Sequence, residues 1–275
     1  MPRIVLLHHH LFKNAGTTLD WILKRNFNNQ FIDHRNNDQM RRGTDYLTRY
    51  IIENEKVSAI SSHHMPSDLF NINNIHIIRL IMFRHPIERV LSVYNFERKQ
   101  PNNISEGSAM ASKKSFSDYV AWRLARVGDQ VIKNYHIASL LNISSSVKIS
   151  DELMNKALSK LDNDFLYGAV ELFDKSLILM EDELKQYFND FDVSYRRMNV
   201  TKKEKLSTGE LIEVVKKNLP SDLFELLSNE NYYDLKLYDT VLKRIDKKFE
   251  SANLKLRNLE IHKQGFFTKL KNSLG

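Results

Sequence analysis

The stretch Lys13-Asn14-Ala15-Gly16-Thr17-Thr18 gathers in six consecutive positions the residue types that an anion-binding loop uses. Ala15 and Gly16 are small enough for the backbone to approach an anion closely, and a helix starting beside them would present unpaired N–H groups and a partial positive charge. Such a loop cradles a phosphate. Lys13 then stands at its entrance, placed to meet a bridging or leaving oxygen, while Thr17 and Thr18 offer hydroxyls and N–H groups to a terminal phosphate. The triphosphate-loop pattern GxxxxGK[ST] is absent, because the lysine here precedes the glycine. An ordinary strand-to-helix turn uses some of the same residues, so the loop gains meaning only from what accompanies it.

A second segment, Arg84-His85-Pro86 through Ser92, supplies that company. Arg84 ends a strand and Ser92 lies eight residues later, about two turns inside the following helix. Both side chains can reach one phosphate beside those turns, and the arginine fork suits phosphate oxygens. Three consecutive histidines, His8, His9 and His10, raise a metal reading, but neighbours on a strand point to opposite faces, so the expectation is no metal site. Arg196 and Arg197 are further candidates for contact with an anion.

The two segments, in this order and each at a strand's carboxyl end, resemble the sulfotransferases that use 3′-phosphoadenosine 5′-phosphosulfate. The closest branch is the carbohydrate type related to the heparan and chondroitin enzymes and their bacterial relatives. The resemblance extends through SSHHMP at 61–66, SFSDYV at 115–120, YGAVELFDKSL at 167–177, NVT at 199–201 and DLKLYD at 234–239. It departs at Phe12, where the family commonly has proline, and at His85, where it often has an acid. It implies that Lys13, Asn14, Ala15, Gly16, Thr17 and Thr18 form the 5′-phosphosulfate loop and that Arg84 and Ser92 hold the 3′-phosphate. The implied reaction moves a sulfonate from that donor to a hydroxyl of a carbohydrate or glycoconjugate, leaving adenosine 3′,5′-bisphosphate and needing no metal.

Sulfuryl transfer passes in line between oxygens, so positioning and charge stabilisation do most of the catalysis, and Lys13 near the leaving bridge suffices in principle. The attacking hydroxyl loses a proton, and histidine is suited to take it. His63 and His64 follow a strand at the edge where open α/β sheets bind ligands. His64 aligns with a histidine of the related carbohydrate enzymes and is the first candidate base; His63 is the second and His10 the third. Glu171 and Asp174 match family positions too, and structural roles are expected of them, Asp174 as a helix cap.

The elements that must position these groups follow from periodicity. Ile4–Leu7 reads as a central strand and Leu19, Ile22 and Leu23 as one face of the next helix. A helix over 43–54, a strand over 57–61, a strand over 75–83 and a helix opening at Pro86 follow. The segment 99–114, rich in Asn, Ser, Pro and Gly, reads as a mobile loop, and 164–171 as a strand within an otherwise helical second half. The expected fold is a three-layer, P-loop-like α/β domain with a central parallel sheet of four or five strands and a helical C-terminal half. The chain reads as a single domain over 1–275, with an α/β nucleotide-binding core at 1–200 and a helical extension at 201–275.

Composition narrows the remaining classes. The 275 residues, 42% hydrophobic, can fill a sizeable core and exclude global disorder. The net charge of +7 fits a local anion pocket better than a surface that coats nucleic acid, and no nucleic-acid partner is expected. With no cysteine, thiol nucleophiles, zinc-thiolate sites and disulfides are excluded. No apolar run reaches membrane-spanning length, so a cytoplasmic enzyme is the expectation, with loose attachment to a membrane through the basic tail at 261–275 as a variant. Two other functions are compatible with the same residues: a nucleotide or small-molecule kinase with a degenerate loop, and a non-enzymatic module that binds polyanions.

Overall fold

The computed structural model describes residues 2–68, 71–101, 104–144, 146–196, 206–257 and 259. Five strands, β1 (Arg3–His9), β2 (Phe31–Asp33), β3 (Ala59–Ser62), β4 (Ile75–Phe83) and β5 (Leu166–Ala169), form one sheet in the order β2-β3-β1-β4-β5. Every pairing is parallel. The expected parallel α/β architecture is therefore present, with β1 at its centre. The chain leaves β1 toward β3 on one side and returns to place β4 on the other, which makes the β1–β4 crevice a topological switch point, the place where such sheets bind ligands.

Among the described residues, helices α1 (Gly16–Phe27), α2 (Asn37–Met40) and α3 (Thr44–Glu53) belong to the first half. They are followed by α4 (Pro86–Glu97), α5 (Glu106–Lys113), α6 (Phe116–Ala125), α7 (Tyr135–Leu141) and α8 (Asp151–Asp164). The chain then continues through α9 (Phe173–Leu184), α10 (Thr208–Lys217), α11 (Ser221–Glu230) and α12 (Tyr232–Ser251). Strand alternation sorts β1 into two cores. Leu6 packs with Leu19, Ile22 and Leu23 of α1 and Leu177 of α9 on one face, and Val5 and Leu7 pack with Leu47 and Ile51 of α3 on the other. Both faces of β1 are thus covered, which gives the expected three layers and explains why its sequence is continuously apolar. At the far edge, Leu237, Tyr238, Val241 and Ile245 of α12 close over Ile81, Phe83 and Tyr167 together with Ile137 of α7.

Two local expectations are corrected. The segment 99–114 contains α5, whose Ser105 and Ser108 form a reciprocal capping box. A loop composition concealed it because Gly107 is required inside the helix: a Cβ there would stand 2.2 Å from Arg123 Nη2 and 2.5 Å from the Glu97 carboxylate. Those two side chains form a buried pair, Arg123 Nη2 donating to both Glu97 carboxylate oxygens at 2.7 and 2.8 Å, that ties α6 to α4. Asp174 lies in the first turn of α9, whose N-cap position is held by Leu172 without a side-chain capping bond, and its carboxylate accepts from Tyr195 Oη at 2.9 Å. Thr17 and Thr18 lie inside α1; the residue at its N-cap is Ala15, in a left-handed conformation.

Candidate active site

The loop after β1 is shaped by two left-handed residues, Lys13 at φ 65° and Ala15 at φ 60°. With Asn14 between them outside that region, the backbone alternates in hand, as in concavities that bind anions through N–H groups, while the Asn14 N–H itself donates to the Leu11 carbonyl at 3.3 Å. Gly16 and Thr17, the first helical residues, have amides without an intrahelical acceptor. Gly16 is needed for a further reason: a Cβ there would stand 2.2 Å from the ring of His10. The imidazole of His10 therefore forms the floor on which the loop rests.

Asn14 is almost fully buried. Its amide donates to the Phe12 carbonyl at 3.3 Å, so its Oδ1 accepts from His136 Nε2 at 3.1 Å. The Phe12 N–H donates to Tyr135 Oη at 2.9 Å, and buried Arg89 reaches the Phe12 carbonyl at 3.5 Å while lying 4.0 Å over the Tyr135 ring. Lys13 carries its ammonium 4.6 Å over the Phe96 ring, and burial, then Arg84 and Lys99, hold its pKa below the ordinary lysine value.

Arg84 meets this loop from β4. Its Nη1 donates to Ser92 Oγ at 2.9 Å and to the Lys13 carbonyl at 3.4 Å, and its Nη2 pairs with Glu88 Oε1 at 2.5 Å. The structure thus brings together the two segments that the sequence suggested, at the ends of adjacent strands. Glu88 was not anticipated, although its spacing of four residues from Arg84, on the helix that carries Ser92, is a readable signal.

Beside the end of β1 lies a cavity of about 390 Å³ lined by His63, His64, Arg41, Met65, Leu11 and Tyr135, among others. His63 donates from Nδ1 to the His10 carbonyl at 2.7 Å, which leaves its lone pair on Nε2. Burial, then the neighbouring His10, pushes its pKa down to about 4, so the ring is neutral at pH 7. His64 differs: Arg41 Nη2 donates to its Nε2 at 3.1 Å, and burial and that guanidinium lower its pKa.

The three histidines after Leu7 alternate as expected, with His9 buried against Phe165 on the opposite face from its neighbours. The same alternation places His8 and His10 on one face, where both approach Asp20 of α1, at 2.7 and 2.8 Å. Alternation along the strand separates His9 from its neighbours but not His8 from His10. His8, His10 and Asp20 offer three ligand atoms within 4.8 Å of one another. Hydrogen-bond partners already surround the group: Ser61 Oγ lies 3.0 Å from His8 Nδ1, and Arg35 binds Asp20 Oδ2 at 3.2 Å. A guanidinium on the carboxylate supplies the positive charge that a cation would otherwise bring.

Arg196 is half-buried and follows Tyr195. Arg197, the 199–201 motif and the basic tail lie outside the described residues. Glu171 follows β5 and faces Tyr238, not the loop.

The chain matches the sulfotransferase family over residues 1–239. It is also 32% identical over 249 residues to an uncharacterized protein of Archaeoglobus fulgidus, an alignment that spans 88% of this chain and 97% of that one. A match of that extent takes in all five strands, the 13–18 loop and the Arg84–Ser92 segment, and the parallel sheet with its loop and arginine agrees with it: the chain belongs to the sulfotransferase family, whose members are sulfonate-transferring enzymes.

Proposed function

We propose that this enzyme transfers a sulfonate from 3′-phosphoadenosine 5′-phosphosulfate to a hydroxyl of a carbohydrate or glycoconjugate, without a metal. The observation that carries the donor reading is the contact of Arg84 with both Ser92 and the Lys13 carbonyl, which couples an arginine fork and an anion loop in one crevice. The residues fit the donor's two anionic ends. The amides of Gly16 and Thr17 and the Thr17 and Thr18 hydroxyls suit the 5′-phosphosulfate, and Arg84 with Ser92 suits the 3′-phosphate.

In this reading Lys13 stabilises charge that develops on the leaving oxygen as the sulfur–oxygen bond breaks. His63 takes the acceptor's proton, because its Nε2 lone pair is available in the cavity while Arg41 occupies that of His64. Charge moves from the attacking hydroxyl, through the sulfonate, to the bisphosphate product, and the proton ends on His63. The neighbouring cavity supports an acceptor of sugar size, with polar groups beside apolar Leu11 and Met65.

Calorimetry with adenosine 3′,5′-bisphosphate in the absence of magnesium tests the donor assignment. Micromolar or tighter binding that collapses in Arg84→Ala supports it. Magnesium-dependent binding of a nucleoside triphosphate in its place would establish a kinase. Transfer of labelled sulfonate to a panel of glycans then tests the acceptor class.

A further inference from the structure

The anion loop is held from behind by the first turn of α7, and that turn is in turn held by α12. Asn134, at the N-cap of α7, has a left-handed backbone, and its side chain does not cap its own helix. Instead, Asn134 Oδ1 accepts the N–H of Asp234, in the first turn of α12, at 3.0 Å. Asp234 returns the favour across a separation of nearly 100 residues: its Oδ2 accepts the His136 N–H at 2.7 Å and its Oδ1 the Ile137 N–H at 3.0 Å. Two helix N-termini thus cap each other, each with the other's side chain. The Asp234 carboxylate is fully buried, as is His136.

His136 is the residue that continues from this cap to the loop. Its backbone N–H is bound by Asp234 and its Nε2 by Asn14, so moving one end of the residue moves the other. Its neighbour Tyr135, held by the same turn, accepts the Phe12 N–H. An unpaired N–H in this dry interior is costly, so the arrangement has few alternatives of similar energy.

We propose that Asp234 is a positioning residue for the anion loop, acting through the α7 N-terminus and the His136–Asn14 contact. This rests on the reading of that loop as the donor site. The helical C-terminal part then supplies an essential constraint on donor geometry, although its side chains do not enter the crevice through this route.

The test uses the full-length chain. Asp234→Asn keeps one acceptor oxygen but turns an NH₂ toward a backbone N–H, and His136→Phe keeps the ring packed edge-on to Phe83 while removing the contact to Asn14. Each variant is expected to weaken adenosine 3′,5′-bisphosphate binding about tenfold, with turnover at saturating donor within about threefold of the parent, a split between binding and rate. The double variant is expected to be no weaker than the weaker single one, since both cut the same linkage. Amide exchange over residues 12–18 in the ligand-free protein should rise in both.

Unchanged affinity in a folded Asp234→Asn protein, or losses that multiply in the double variant, would overturn the proposal. If Asp234→Asn does not fold, Asn134→Ala, which removes only the reciprocal bond, takes its place with the same expectations at smaller amplitude. If the parent protein binds no bisphosphate, the donor reading fails by itself. The exchange measurement still decides the positioning role, and unchanged exchange in the variants overturns it.

Discussion

The anion loop and the His63–His64 cavity both border the end of β1, yet they are built in different ways. Around the loop, side chains of α4, α7 and the residue after β4 hold it: Arg89 and Arg84 donate to the Phe12 and Lys13 carbonyls, Tyr135 Oη accepts the Phe12 N–H, and buried His136 donates to Asn14 Oδ1. Around the cavity, His63 is fixed by a single bond to the His10 carbonyl, and His64 leans on Arg41, an exposed side chain. A rigid half that recognises an invariant anion and a more open half that receives a variable partner is the division expected of an enzyme with one donor and a separately specified acceptor. Preorganised donors of hydrogen bonds contribute most where charge develops, because they need not reorganise as it does.

The largest test of this contrast is Lys13→Ala, which should lower turnover about a thousandfold while weakening bisphosphate binding far less, since its strongest interaction is with the transition state. Equal losses in both measurements would move Lys13 into simple donor binding. On the open side, His63→Ala should depress turnover roughly a hundredfold with donor affinity intact, and His64→Ala less than tenfold. The reverse ranking, read from steady-state rates at saturating donor, returns the proton-acceptor role to His64. Arg84→Ala should cost about 2 kcal/mol of bisphosphate affinity, close to thirtyfold, with a smaller change in turnover.

Stability offers a finer comparison. Gly16→Ala pushes a methyl group into the His10 ring, which is packed against His8 and His63, and should lower the unfolding free energy by about 1–3 kcal/mol in denaturant titration. A fully stable variant would mean that His10 can retreat and is no floor for the loop. The smallest effect is that of pH. The lowered pKa of His63 contributes stability that is complete above its ordinary value of 6.5 and is lost as pH falls toward about 4, because the unfolded chain binds the proton first. Asp234, raised by burial to about 6, works in the other direction, since its contribution is present below the ordinary value of 3.8 and lost as pH rises through 6. His63→Asn should therefore flatten the acid limb of the stability curve between pH 6.5 and 4, and Asp234→Asn should not.

Much of this arrangement was legible in the chain. The apolar run before His8, the small residues at 15–16 and the Arg84-to-Ser92 spacing are local signals, and local signals survive folding when both faces of a strand are buried. The unread parts depend on long-range contacts. β2 is three residues long and gains its identity only by pairing with β3. α5 hides a glycine that only the Glu97–Arg123 pair explains. His8 and His10 converge on Asp20 only because α1 crosses the face that their even-numbered positions share with Leu6. Asp234 carried no role in the sequence because its partners lie 97 and 98 residues earlier.

The reciprocal capping of α7 and α12 also bears on how the molecule assembles. Contacts at such separation carry a loop-closure cost that is met only when α12 docks, and until then the first turn of α7 and its His136–Asn14 contact to the loop lack the Asp234 cap. Donor binding and the docking of α12 then belong to one cooperative unit. A ligand held in the β1–β4 crevice should slow amide exchange along α12, some distance from any atom it touches, and a lesion at the α12 docking surface should be felt first as a loss of ligand-induced protection and only later as unfolding.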